Sequence, residues 1–187
     1  MAILKLVGLC GMAGSGKTEA AKLLVDRFGF DHLSFSDHIK QMLRTLGVPT
    51  HNLYGTSEQK LEPLDLLCGK SARHALITLG TEWGREMIGA NIWVQALESR
   101  ICKMRDDQFG HHLVVDDIRF VGELEMLRKH GALILGIERE RKTELAPASH
   151  ISETLDFKAQ NVEIINNNFS LQAFHTTLLE SIFLKQN

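Results

Sequence analysis

The sequence predicts an α/β fold with a mostly parallel central sheet. Three observations carry that expectation. Apolar, strand-length runs alternate with helix-period segments along the chain. The first run, Ile3–Cys10, enters Gly11-Met12-Ala13-Gly14-Ser15-Gly16-Lys17-Thr18, which has the phosphate-loop form G-x-x-x-x-G-K-[ST], and a helix-patterned stretch follows. A later apolar run, Leu113-Val114-Val115, ends in two carboxylates, Asp116-Asp117.

The elements follow in order. Glu19–Phe28 reads as a helix with Ala20, Leu24 and Phe28 on one side. A short strand, His32–Phe35, leads to Ser36-Asp37, which caps a helix carrying Ile39, Leu43 and Leu46 and ending at Gly47 and Pro49. Thr50–Gly69 reads as irregular, and it is long for a loop inside a compact domain. Ser71–Ile88 reads as a helix, because Ala72, Ala75, Leu76, Leu79, Trp83 and Met87 recur at helical spacing as a core stripe. Arg73, Gly80 and Gly84 lie together on another face. Glycine inside a helix costs about 1 kcal/mol relative to alanine. Either something packs close to the backbone there, or the helix breaks at Gly80. Asn91–Met104 is the next helix, with Trp93 and Leu97 inward. Leu113-Val114-Val115 is the continuous apolar run of a central strand covered on both faces. A helix with Phe120, Leu124 and Leu127 on one face ends near Gly131, and Ala132–Ile137 is the next strand. Glu138–Ser152 is charged and irregular. Val162–Ile165 is a last short strand, Asn166-Asn167-Asn168 turns the chain, and Ser170 caps a final helix with the stripe Leu171, Phe174, Leu178 and Ile182. This order is that of the three-layer P-loop NTPase fold, in one domain over residues 1–187.

Composition narrows the class. Of 187 residues, 44% are hydrophobic and 24% charged, as in an ordinary globular protein. The net charge of −2 gives no global field toward nucleic acid or an anionic membrane. No apolar run approaches the length of a membrane span, and the start carries no signal-peptide pattern. Cys10, Cys68 and Cys102 are odd in number and widely spaced, against a disulfide framework or a zinc site. A reducing, cytoplasmic setting is the expectation.

The motif assigns chemistry. Glycines turn the backbone so that its N–H groups face phosphate oxygens, and the helix N-terminus adds its positive end. Gly11, Ala13, Gly14, Ser15, Gly16, Lys17 and Thr18 are thus the expected grip on a nucleotide's phosphates, with Lys17 reaching the terminal phosphates and the Thr18 hydroxyl a Mg²⁺ ligand. The carboxylate after the third apolar run has the place of the acidic residue near that metal. Either Asp116 or Asp117 can serve, since adjacent strand residues face opposite ways. An anionic acceptor calls for arginines, whose guanidinium binds phosphate in a bidentate way. Candidates are Arg73, Arg85, Arg119, Arg139 and Arg141, although a lone arginine is a solvated surface charge by default. The charged segment that holds Arg139 reads as a lid able to exclude water.

At this point the chain resembles the bacteriophage deoxynucleoside monophosphate kinases, relatives of adenylate and thymidylate kinases. The likeness covers most of the chain. It is carried by Leu9–Thr18, Phe35-Ser36-Asp37, Leu67-Cys68-Gly69-Lys70-Ser71-Ala72-Arg73, Asp117-Ile118-Arg119-Phe120 and Ser149-His150-Ile151-Ser152-Glu153. The narrowest pieces are Leu79-Gly80-Thr81-Glu82-Trp83-Gly84-Arg85 and Asn91-Ile92-Trp93-Val94. The resemblance implies transfer of the ATP γ-phosphate to a deoxynucleoside 5′-monophosphate. It implies a monophosphate-binding region at about residues 37–90 and a lid at about 139–155. Asp37, Lys70, Arg73, Trp83 and Arg85 would surround the acceptor. Lys17, Arg73, Asp117 and Arg139 would act in transfer, with Thr18 and Asp117 at the metal. Two prolines of the family pattern are replaced here by His38 and Ala72, and the lid reads Glu140-Arg141 where a Pro-Gly pair is expected. Related kinases are often dimers, so a homodimer is open.

Two other readings compete. One keeps the kinase chemistry with another small phosphorylated acceptor, as in dephospho-coenzyme A kinase. The other is a nucleotide-binding protein without catalysis, against which Lys17, Thr18 and the acidic strand end weigh. A nucleic-acid end kinase is disfavoured by the lack of any basic run or aromatic platform.

Overall fold

The computed structural model describes residues 5–106, 111–140 and 160–184. The chain divides into two compact units, Met1–Ser34 with Ile101–Asn187, and Phe35–Arg100.

The first unit is built on a five-stranded sheet in the order β2-β5-β1-β6-β7. Its strands are β1 (Leu6–Cys10), β2 (Phe30–Leu33), β5 (His112–Ile118), β6 (Leu133–Glu138) and β7 (Glu163–Asn166). Every pairing in it is parallel. β1 lies in the middle and is buried along its whole length, as a run without polar alternation must be. One sheet face, through Val7, Leu9, Val114, Leu135, Ile137 and Ile165, packs on α1 (Lys17–Phe28) and α8 (Leu171–Phe183). Ala20, Leu24, Phe174, Leu178 and Ile182 supply the helical side of that core. Toward α7 (Val121–Lys129) the sheet comes closer. A Cβ on Gly8 would lie within 2.7–3.3 Å of Ile134, Ile118 and Leu127 side-chain carbons. Glu123 is buried at the start of α7 and accepts from the backbone N–H groups of Arg119 and Phe120, at 2.7 and 3.1 Å. It thereby satisfies two donors that a helix start leaves open. Cys10 is buried, which pushes its thiol up to about 12, while Cys68 and Cys102 are exposed.

The second unit is helical. It holds α2 (Asp37–Thr45), α3 (Thr50–Tyr54), α4 (Ser57–Leu61), a two-stranded antiparallel hairpin of β3 (Pro63–Leu64) and β4 (Lys70–Ser71), α5 (Ala72–Thr78) and the start of α6 (Ile92–Asp106). Leu43, Val48, Leu53 and Ala72 form its core, with Leu64, Leu67, Ala75, Leu76 and Leu79 packed against it. Between α5 and α6, Leu79–Ile88 continues as a π-helix.

Several expectations are corrected. Residues 50–69 are not irregular: a capping box closes α4, with Thr56 Oγ1 accepting from Gln59 N and Gln59 Oε1 from Thr56 N. The helix over residues 71–88 is α-helical only to Thr78. The wider i→i+5 winding beyond it carries Met87 out of the core stripe, to 75% exposure. Leu46 and Leu171 are exposed as well. Ser36 makes no side-chain cap bond, whereas Ser71 and Ser170 accept from His74 N and Ala173 N. The second strand is Phe30–Leu33, not His32–Phe35. Asp116 and Asp117 lie within β5, near its carboxyl end as the sequence reading has them. Among the described residues, no helix is long and apolar enough to cross a membrane.

Candidate active site

In the first unit, the phosphate loop leaves β1 at the carboxyl edge of the sheet, between β5 and β6. Open α/β sheets bind ligands at such an edge. The loop needs its glycines. Gly11, Gly14 and Gly16 stand at φ +141°, +79° and +114°, where side chains with a Cβ are strained. Two are also sterically fixed: a Cβ on Gly11 would lie 2.3 Å from the Ile137 carbonyl oxygen, and one on Gly16 would lie 2.4 Å from Asn167 Nδ2. Met12, Ala13, Gly14 and Thr18 are exposed, and Ser15 is buried. The Ser15 hydroxyl is buried with no hydrogen-bond partner among the described residues. Lys17 Nζ donates to the carbonyls of Gly11 and Met12, both at 2.8 Å, so its charge is held over the loop. α1 starts at Lys17, and a helix start presents N–H groups without intrahelical acceptors. This donor set suits a polyphosphate: left-handed glycines, an orphaned hydroxyl, a lysine and a helix N-terminus.

The carboxylates of β5 lie beside β1. The β1–β5 register pairs Gly8 with Val115 and Cys10 with Ile118, so Asp116 and Asp117 together oppose Leu9. This is a bulge, and period-two alternation does not hold across it. Both carboxylates bond side chains at the end of β2: Asp116 Oδ1 to His32 Nε2 at 2.8 Å, and Asp117 Oδ2 to Ser34 Oγ at 2.5 Å. The partners differ in kind. A hydroxyl is neutral, whereas imidazole can carry charge of its own. Among the described residues no cluster of three or more His, Cys, Asp or Glu side chains could hold a metal.

Arg139 directly follows β6. Its neighbours are tied to the 166–168 turn: Glu138 O accepts from Asn167 N at 2.8 Å, and Glu140 N donates to Asn168 Oδ1 at 2.7 Å. Asn167 Nδ2 in turn donates to Ser15 O at 2.7 Å. The backbone at Arg139 is therefore linked to the phosphate loop through one turn. Sequence reasoning missed Asn167, whose one signal was a run of three asparagines after the last strand. Arg119 is exposed at the end of β5. Arg141, the rest of the 139–155 lid, and Ser149–Glu153 lie outside the described residues.

In the second unit, taken by itself, Asp37 begins α2 and accepts from Arg100 Nη1 at 3.1 Å. Arg100 was not a sequence candidate. Arg73 stands in the first turn of α5, and Lys70 is exposed on β4. Lys40 sits over the Tyr54 ring, 4.9 Å from its centroid. Burial lowers Lys60, and the positive charges of Lys40 and Arg73 lower it further. Burial raises Tyr54, and the Asp37 charge adds to that. Lys40 of α2 and Arg73 of α5 thus stand within electrostatic reach of Lys60 on α4. Lys60 escaped the sequence reading because residues 50–69 read as loop, and Lys40 because it read as one lysine on the α2 helix. Trp83 is half-buried with its ring centroid 6.1 Å from that of Trp93, and Arg85 Nη1 donates to Ala90 O at 3.3 Å. Beyond Arg85 opens a cleft of about 410 Å³, lined by Ile88–Ile92 and Gln95.

Comparison with known proteins bears on the family and the fold. The sequence pattern of the family described as deoxynucleotide monophosphate kinase matches residues 68–178. A protein of Acanthamoeba polyphaga mimivirus, provisionally named a deoxynucleotide monophosphate kinase, is 27% identical over 194 residues, covering 95% of each chain. Among solved structures, dephospho-CoA kinase from Campylobacter jejuni superposes with a TM-score of 0.54 at 13% identity, covering 96% of each chain. At that identity the likeness concerns the fold, and it supports the three-layer α/β architecture.

Proposed function

The chain belongs to the deoxynucleotide monophosphate kinase family, and we propose that it transfers the γ-phosphate of ATP to a deoxynucleoside 5′-monophosphate, giving the diphosphate and ADP. The observation that carries this reading is the gathering of Lys40, Lys60 and Arg73, in which burial and like charge lower Lys60. Like charges brought together cost free energy. A dianionic phosphate offsets that cost, and a neutral acceptor such as an alcohol would not.

In this reading Gly11, Ala13, Gly14, Ser15, Gly16, Lys17 and Thr18 hold the donor's phosphates. Thr18 and Asp117 would hold Mg²⁺, which would supply positive charge against the charge that develops in transfer. Asp37, Lys70, Arg73, Trp83 and Arg85 bind the acceptor. A phosphate oxygen of the acceptor attacks the γ-phosphorus, and the bond from that phosphorus to the bridging β–γ oxygen breaks, leaving ADP. No covalent intermediate on the protein is needed, so its work is placement and charge. Lys17 and Arg73 neutralise the transferring group, and Arg139 does so from the edge of β6.

The test follows the label. With γ-labelled ATP and each common deoxynucleoside monophosphate in turn, label should appear in the deoxynucleoside diphosphate. Label released only as inorganic phosphate would contradict transfer. Arg73→Ala should raise the acceptor's KM by about tenfold or more, the worth of a charged hydrogen bond, and leave the KM of ATP near its starting value. A change confined to ATP would remove Arg73 from the acceptor side.

A further inference from the structure

The π-helical stretch Leu79–Ile88 calls for a cause. Such geometry is rare beyond a single turn and gathers at functional sites. Its wide register is visible in Gly89 N bonding Gly84 O, five residues back, at 2.9 Å. Two contacts from the start of α6 explain it. The Trp93 indole occupies the space of a side chain at position 84: a Cβ there would lie 2.5 Å from Nε1 and 2.6 Å from Cζ2. The same indole N–H donates to the Gly80 carbonyl oxygen at 2.8 Å. Trp93 is 4% exposed, so this bond is made away from water. Alanine is intrinsically favoured over glycine in a helix, so the helix-unfavourable Gly84 has a steric reason. Past this wedge, Trp83 lies against Trp93, and Arg85 turns to the Ala90 carbonyl.

We propose that Trp93 is a positioning residue: seated on Gly84 and bonded to the Gly80 carbonyl, its indole holds the π turn and thereby sets where Trp83 and Arg85 stand toward the acceptor. This rests on the reading that those two side chains bind the acceptor. The indole touches neither substrate. It acts through the shape of the turn, which an α-helical continuation of α5 would not give.

The experiment is a double-mutant cycle on the full chain with Gly84→Ala, Trp93→Phe and the pair. The chain has two tryptophans, so indole N–H resonances supply a readout that needs no substrate. Trp93→Phe identifies the Trp93 signal by its loss. In the wild type that signal should exchange slowly, and in Gly84→Ala it should shift and lose protection. The kinetic expectation for Gly84→Ala is a rise in acceptor KM on the order of ten- to a hundredfold, since a misplacement of about 1 Å costs that much. The KM of ATP should hold. Trp93→Phe keeps a ring and loses the donor, so it should move the same constant less. The phenyl ring is smaller than indole, so the double variant should recover part of the Gly84→Ala loss. Additive effects, or an unmoved acceptor KM in both single variants, would overturn the proposal. If Gly84→Ala fails to fold, Trp93→Phe alone decides through the acceptor KM. If the wild type shows no acceptor-dependent turnover, the functional reading fails on that result, and an indole N–H that exchanges fast in the wild type would separately overturn the wedge.

Discussion

Replacing Lys17 with alanine is expected to lower kcat by about a hundred- to a thousandfold, the usual cost of losing one preorganised donor at a site of developing charge. The side chain spans two tasks. Its ammonium bonds the carbonyls of Gly11 and Met12 at 2.8 Å, which places the charge over the loop. It is also the cation that can follow charge onto the transferring phosphate. Alanine removes both, so the variant's melting temperature belongs beside its kinetics. Lys17 is half-buried and both its carbonyl partners lie in the loop, so a modest thermal shift with a large kinetic loss is the expected pattern. A kcat within a few-fold of the wild type would remove this loop from the donor side.

The second large effect is expected from Asp117→Asn. The change preserves shape and an oxygen able to accept from the Ser34 hydroxyl, which lies 2.5 Å away, but it deletes the charge. If Asp117 holds Mg²⁺, kcat should fall by about a hundredfold, equivalent to about 2.7 kcal/mol of transition-state stabilisation. The Mg²⁺ concentration for half-maximal rate should rise as well, which a purely structural aspartate would not produce. Asp116→Asn is the control, because Asp116 already faces His32 at 2.8 Å. If Asp116→Asn moves the Mg²⁺ dependence and Asp117→Asn does not, the metal carboxylate is Asp116.

The parts of this fold set by local pattern were legible in the chain. The apolar run before Gly11, the glycine spacing and the helix after Lys17 describe one compact sequence neighbourhood, and β1, the loop and α1 follow it. The run Leu113–Val115 likewise declared a strand covered on both faces, and β5 lies beside β1. What stayed hidden depends on contacts between distant residues. The alternation rule set Asp116 and Asp117 on opposite faces, but a bulge against Leu9 brings both carboxylates to β2. The helical period placed Met87 in the core, but a Trp93 wedge nine residues beyond Gly84 accompanies a wider winding. Asn167 reads as a turn residue until its amide reaches Ser15, 152 residues away in sequence. Thr56-Ser57-Glu58-Gln59 is a different kind of omission: the capping box was written in the sequence, inside a stretch dismissed as loop.

The most direct test of the central claim is ADP release, followed by a coupled assay with ATP and Mg²⁺ against a panel of deoxynucleoside and ribonucleoside monophosphates and dephospho-coenzyme A. The account predicts saturable ADP release that depends on a deoxynucleoside monophosphate and disappears without Mg²⁺. ADP release that no nucleoside monophosphate stimulates, or that only dephospho-coenzyme A stimulates, would contradict it.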